Sequence, residues 1–103
     1  VPAIVVEIRD AVTGAYVAEN AWGAVSEGTY TDSLQPYISN GYGTLQSRQA
    51  AFERVGLYSI SIQHNDYQPW LRSNIQVTAN ECHVNTVTIT AELIPNASSE
   101  RLR

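Results

Sequence analysis

Gly56-Leu57-Tyr58-Ser59-Ile60-Ser61-Ile62 is the stretch from which the rest of the chain can be read. Tyr58, Ile60 and Ile62 fall on one face of an extended segment, and Leu57, Ser59 and Ser61 on the other. Successive side chains of a strand point to opposite faces, so this alternation describes a strand with one side against a core. Upstream, Ala3 to Arg9 repeats the pattern, with Ile4, Val6 and Ile8 opposed to Val5, Glu7 and Arg9. Downstream, Val87, Ile89, Ala91 and Leu93 are in phase within a last strand read as Cys82 to Leu93. Cys82 and Val84 have the opposite parity, which predicts a bulge or bend near Asn85-Thr86.

Turn chemistry separates these segments. Asp10-Ala11-Val12-Thr13-Gly14 reads as a tight turn or bulged corner, because Asp accepts bonds from the backbone just ahead and Gly supplies positive φ. Tyr16 to Ser26 is apolar but ambiguous in phase: either Trp22 and Ala24 face inward, or Ala21, Gly23 and Val25 do. Glu27-Gly28 and His64-Asn65-Asp66-Tyr67 are further turns, and Thr29-Tyr30-Thr31 is a short strand candidate. Residues 33–47 mix turn formers with tyrosines, and Asn40-Gly41 is a hairpin signal. Residues 48–55 are too short and uncapped for a helix and read as strand or turn. Trp70 to Thr78 is another strand candidate, ended by Ala79-Asn80. About seven short strands, with turn signals about every 8–12 residues, predict an all-β two-sheet sandwich. It occupies one domain, residues 1–95, followed by a polar tail, residues 96–103, with no internal repeat.

The chain has 103 residues, ten of them acidic, against six arginines and no lysine, for a formal charge of −4. That length supports one core, removing roughly 65% of the unfolded chain's surface from water without a disulfide or metal. A single Cys82 forms no internal disulfide, and it says nothing about redox compartment. The acidic balance opposes nucleic acid or an anionic membrane as partner, since either needs a basic face. No apolar run approaches the roughly 20 residues of a membrane-spanning helix. The opening Val1-Pro2 suits a mature form or an excised domain.

Asp10-x-x-Thr13-Gly14 after an alternating first strand, then Gly56-x-Tyr58-x-Ile60-x-Ile62, then Asp66-Tyr67, closing on a Val-rich strand, resembles the carboxypeptidase regulatory-like domain over residues 3–94. Asn80-Glu81-Cys82-His83-Val84-Asn85-Thr86 is similar to the version in small bacterial envelope proteins and lipoproteins. The resemblance implies a transthyretin-like (prealbumin-type, Ig-like) antiparallel Greek-key β-sandwich. It further implies a non-catalytic accessory module working outside the cytoplasm: periplasmic, secreted or at the cell envelope. Three departures are visible. Tyr16 stands where the family often has Pro, Asp66-Tyr67 replaces Gly-Tyr, and the segment from Tyr30 to Val55 is longer than the usual middle loop.

Catalytic and metal constellations find little purchase. Without lysine the Lys–Asn isopeptide bond of pilin-like sandwiches cannot form, and Ser99-Glu100-Arg101-Leu102-Arg103 lacks the Tyr-Arg-Gly-Ser ending of hydroxyisourate hydrolases. His64 and His83 are read as ordinary surface or half-buried residues, since neither His-Glu-x-x-His nor Cys-x-x-Cys occurs. No Gly-x-Ser-x-Gly elbow is present, and Asn40-Gly41-Tyr42-Gly43 lacks the Lys-Ser/Thr of a phosphate loop. Cys82 is read as a small buried group under the last strand, with a reactive thiol as the weaker reading. Asp66 with Asn65, or Asp10 with Glu7, offers oxygens to calcium, but loop acids are more often turn formers. No enzyme activity and no cofactor are expected.

The aromatics are the compositional excess, with six Tyr and two Trp against one Phe. Tyr37, Tyr42, Tyr67 and Trp70 fall near turns and form the candidate binding surface, because exposed Tyr and Trp offer flat amphipathic contact area. The competing reading puts Tyr58 and Trp22 in the core and has Tyr67 and Trp70 lock a sheet edge. The expected function is an accessory or protein-binding module using the Tyr37–Tyr42 segment or an unpaired sheet edge. One alternative is a carbohydrate-binding module with converging aromatics, its partner a glycan. Another is a structural spacer or homodimer joined at edge strands.

Overall fold

The computed structural model describes residues 1–38 and 44–96. Among them eight strands form, β1 (Pro2–Asp10), β2 (Trp22–Glu27), β3 (Tyr30–Ser33), β4 (Gln35–Tyr37), β5 (Ser47–Phe52), β6 (Gly56–His64), β7 (Tyr67–Val77) and β8 (Val87–Leu93). They make two four-stranded sheets, one in the order β4-β5-β1-β8 and the other β3-β2-β6-β7. The eighth strand beyond the seven expected is β4, three residues within the mixed segment 33–47. It pairs antiparallel with β5, while the Asn40-Gly41 tip expected between them lies outside the described residues, as does the tail from residue 97. No helix among the described residues is long and apolar enough to cross a membrane.

The alternating segments are buried as their pattern predicts. Ile4, Val6 and Ile8 of β1, Tyr58, Ile60 and Ile62 of β6, and Ile89, Ala91 and Leu93 of β8 all lie in the core between the sheets. The Tyr58 hydroxyl donates to the Arg54 carbonyl at 2.9 Å, so the largest buried ring keeps its polar end satisfied. Val5, on the outer face, is buried as well, for β1 is a central strand and Val5 is flanked in register by Gln49 and Thr88.

Hairpins β2–β3, β4–β5 and β6–β7 alternate between the sheets, and the neighbours β1–β5 and β2–β6 are the long connections of a Greek-key sandwich. Among the described residues every strand pairing is antiparallel except one: β1 and β8 run parallel through seven consecutive residue pairs, from Ile4↔Val87 to Asp10↔Leu93. The chain changes sheet four times before β8 returns to the sheet of β1, and crossing between sheets places no constraint on strand direction, so local alternation carries no information on this point.

Two other expectations are corrected. The last strand begins at Val87, not Cys82. The Asn80 side-chain carbonyl accepts from the backbone N–H of Cys82 at 2.8 Å and of His83 at 2.9 Å, winding Asn80–Val84 into a turn. Trp22 does not fill the core; it is 48% exposed on the outer face of β2, while Ala21 and Val25 point inward. Gly23 explains the ambiguous phase. A Cβ there would stand 2.0 Å from the Ser61 carbonyl oxygen of β6, so this inward position carries no side chain to signal its direction.

That contact makes Gly23→Ala a test of the β2–β6 pairing. The collision is with backbone rather than a flexible tip, and relief requires strand separation, so a loss of about 3 kcal/mol is expected in chemical denaturation. An unchanged unfolding midpoint would show that β2 and β6 are not this close.

Candidate functional site

The three described candidate aromatics do not converge. Tyr37 ends β4, at one edge of its sheet. Tyr67 and Trp70 lie on β7, the edge of the other sheet, and the start of β7 adjoins the chain just after β8. There Gln68 N–H donates to the Ile94 carbonyl at 2.8 Å and Asn96 N–H to the Asp66 carbonyl at 3.0 Å. The strands β5 and β1 stand between β4 and β8, so Tyr37 is about 14 Å of sheet width from this corner. Tyr42 lies outside the described residues.

Tyr67 and Trp70 are three residues apart, yet both turn toward the core. The register slips between Ile62↔Trp70 and His64↔Tyr67, and the extra residue in β7 brings both rings to the inner side. The Tyr67 hydroxyl donates to Asp10 Oδ2 at 2.6 Å, and its ring meets His64 edge-on at 4.7 Å. Arg72 lies over Trp70 at 5.9 Å. These residues lock an edge rather than present a platform.

Asp10 is the single buried charged residue among the described residues. Its Oδ1 accepts the N–H groups of Val12 at 2.7 Å and Thr13 at 2.9 Å, closing the corner that ends at Gly14, where φ is +78°. The hydrogen bond from Tyr67, followed by that from the Thr13 backbone, holds the Asp10 carboxyl below its ordinary range. Both oxygens are thus engaged by the fold.

The other chemistry-bearing candidates are dispersed. Cys82 is exposed in the Asn80–Val84 turn, a correction to its expected burial. His83 stands 3.9 Å from Glu53, and His64 Nδ1 accepts the Asp66 N–H at 3.1 Å. Among the described residues, no group of three His, Cys, Asp or Glu is placed to hold a metal ion.

What the fold does expose is a strand edge. Among the described residues four edges end the two sheets, and three carry features that discourage another chain from pairing. β3 has four residues, and its Asp32 reaches across to accept the Ala51 N–H at 2.8 Å. β4 has three residues, including Pro36, which has no N–H. β7 is long, but it contains Pro69, two register slips and Asn74 at φ +63°. β8 has none of these. Val87-Thr88-Ile89-Thr90-Ala91-Glu92-Leu93 pairs with β1 without a slip and contains no proline, glycine, lysine or arginine.

The direction of its free backbone groups follows from two bonds. The Leu93 carbonyl accepts from Ala11, following β1, whereas the Ile94 carbonyl accepts from Gln68 of β7 on the opposite side. Backbone groups alternate along a strand, so the N–H and C=O of Thr88, Thr90 and Glu92 point away from β1. Their side chains are exposed on the outer face, beside a cluster in which Arg9 donates to Glu7 at 2.9 Å and to the Tyr16 hydroxyl at 2.6 Å. Sequence reasoning singled out none of these three residues. Their signal was present, as the off-phase positions of a strand without gatekeepers, but whether a strand is central or terminal is not a local property.

No protein-family model matches this chain, and a search of curated proteins finds no match.

The Asp10–Tyr67 bond predicts a pH-dependent mutant phenotype. A carboxyl whose folded pKa lies below its unfolded value adds stability above the unfolded range and loses it as pH falls through the folded pKa. Tyr67→Phe should therefore cost about 1.5–3 kcal/mol at neutral pH. The gap from the parent should narrow in urea titrations as the pH is taken below about 4. A gap independent of pH would remove Asp10 as the partner that matters.

Proposed function

We propose that this chain is a non-catalytic accessory module that binds another protein by adding a strand of its partner to the open edge of β8. The observation that carries the reading is the contrast among edges: β3, β4 and β7 are short, interrupted or bulged, while β8 offers an uninterrupted row of outward N–H and C=O groups. Exposed edges of this kind are costly to leave unguarded, and strand addition is the recognition mode that uses them.

The carboxypeptidase regulatory-like resemblance supports the same reading. Its Asp10-x-x-Thr13-Gly14 motif is a closed corner, and the Gly56-x-Tyr58-x-Ile60-x-Ile62 motif is the central strand of a sandwich. A periplasmic, secreted or cell-envelope setting rests on that resemblance alone. The glycan reading draws no support from Tyr67 and Trp70, which pack against the core, and the −4 charge opposes nucleic acid.

Site-specific photocrosslinking tests the proposal in the organism's envelope fraction. A photoreactive side chain replacing Thr88 should capture a protein that the same group replacing Ser61, on the outer face of the other sheet, does not. Thr90→Pro, which deletes an outward N–H and spares the β1 ladder, should abolish the capture. Equal capture from both positions, or capture indifferent to Thr90→Pro, refutes strand addition at β8. Turnover of a peptide, ester or glycoside that disappears with a single polar substitution refutes the non-catalytic reading.

A further inference from the structure

We propose that the outer face of the β3-β2-β6-β7 sheet binds a neutral polysaccharide, with the Trp22 indole as the platform for one sugar ring. The site goes beyond the β8 edge, which belongs to the other sheet. Rows of outward side chains cross this face in register. Trp22 of β2 lies beside Gln63 of β6. In the next row Ala24 of β2 lies beside Ser61 of β6, and Ser61 beside Leu71 of β7. In the third, Ser26 lies beside Ser59, whose hydroxyl donates to that of Ser73 at 3.1 Å.

None of these side chains is charged, in a chain with ten acids and six arginines. The charged residues of the four strands turn off the face. Asp32 reaches the Ala51 N–H of β5, and Glu27 accepts from Arg54 at 2.6 Å and from the Leu57 N–H at 2.9 Å. Arg72 pairs in register with the inward Ile60 and lies over Trp70. The other sheet differs, for its outer face carries Glu7, Arg9 and Glu92.

This chemistry selects the occupant. Trp22 is 48% exposed and Leu71 72%, but Ser61 on β6 separates the strands that carry them. The apolar surface therefore does not merge into the continuous patch that a protein interface desolvates. Apolar side chains laid over the serines and Gln63 would strip water from hydroxyls and an amide and offer no hydrogen bond in return. A pyranose meets both demands. Its ring C–H bonds form an apolar face that stacks on an indole, and its hydroxyls donate and accept, as Ser hydroxyls and the Gln63 amide do. Ala24, Ser26, Ser59 and Ser61 are short, so the floor beside Trp22 is level. Neighbouring strands lie about 4.8 Å apart, close to the length one pyranose adds to a linear polymer, so a chain crossing the sheet sets successive rings over β2, β6 and β7. Acidic polymers are opposed, because the face offers no cation and the chain carries −4.

Affinity electrophoresis through gels containing hydroxyethylcellulose, glucomannan, soluble starch or dextran tests the proposal, with polygalacturonate as the acidic comparison. At least one neutral polymer should retard the chain, and polygalacturonate should not. Trp22→Ala should weaken the retardation about tenfold or more, the scale of one lost ring-stacking contact. Trp22→Tyr, which keeps an aromatic face, should retain most of it, and Ser61→Glu, which puts a carboxylate in the middle of the floor, should reduce it. Urea midpoints report whether each variant is folded; Trp22 and Ser61 lie outside the core cluster. Failure of every neutral polymer to retard the chain overturns the proposal, as does retardation indifferent to Trp22→Ala or stronger on polygalacturonate. Protein capture by a photoreactive group replacing Gln63 assigns the face to a protein and overturns it as well.

Discussion

The parallel ladder between β1 and β8 is the constraint from which the remaining geometry follows. β1 is a central strand, so its one face fills the core and its two edges are consumed, one by β5 and the other by β8. Pairing the first strand with the last brings the two ends of the sandwich together, and among the described residues it leaves β8 with a single strand partner. The seven unbroken pairs also fix which backbone groups of β8 turn outward. Were the ladder to slip by one residue, Ile89 and Ala91 would leave the core and the outward row would shift to their N–H and C=O groups. Core packing and edge chemistry are therefore set by the same register.

The corner at Asp10 reinforces that arrangement from the side. The carboxylate closes the turn after β1 through Val12 and Thr13 and takes the Tyr67 hydroxyl from β7, joining the two sheets beside the end of β8. Asp32, from β3, makes a comparable link to β5 near the other side of the sandwich. These acids spend their oxygens on backbone donors and a phenol. Their work is to hold sheets and edges in place, which is consistent with a module whose function lies in its outline.

Much of the architecture was legible in the sequence because strand burial is written in period two. β1, β6 and β8 announce their inner faces, and Asp10 through Gly14 and Asn65-Asp66 announce their turns. The failures have physical causes. Gly23 occupies an inward position where Ser61 leaves no room for a side chain, so Trp22 could be mistaken for the core residue. The register slips in β7 put Tyr67 and Trp70 on one side despite their spacing, which made them look like loop aromatics free to converge. Asn80 captures the N–H groups of Cys82 and His83 and stops the last strand short. The candidate edge was the least legible feature. Thr88, Thr90 and Glu92 are unremarkable until the sheet order shows that nothing among the described residues pairs beyond them.

Amide hydrogen exchange resolved to single residues of β8 tests that edge most directly. In the dilute isolated chain, Ile89 and Ala91, whose N–H groups face β1, should exchange slowly, and Thr88, Thr90 and Glu92 should exchange quickly. With a partner that engages the edge, the three fast amides should become slow and the alternation should disappear. Uniform protection across Val87–Leu93 in the dilute chain, or fast amides that no partner slows, would contradict the account of β8 as an open, receptive edge.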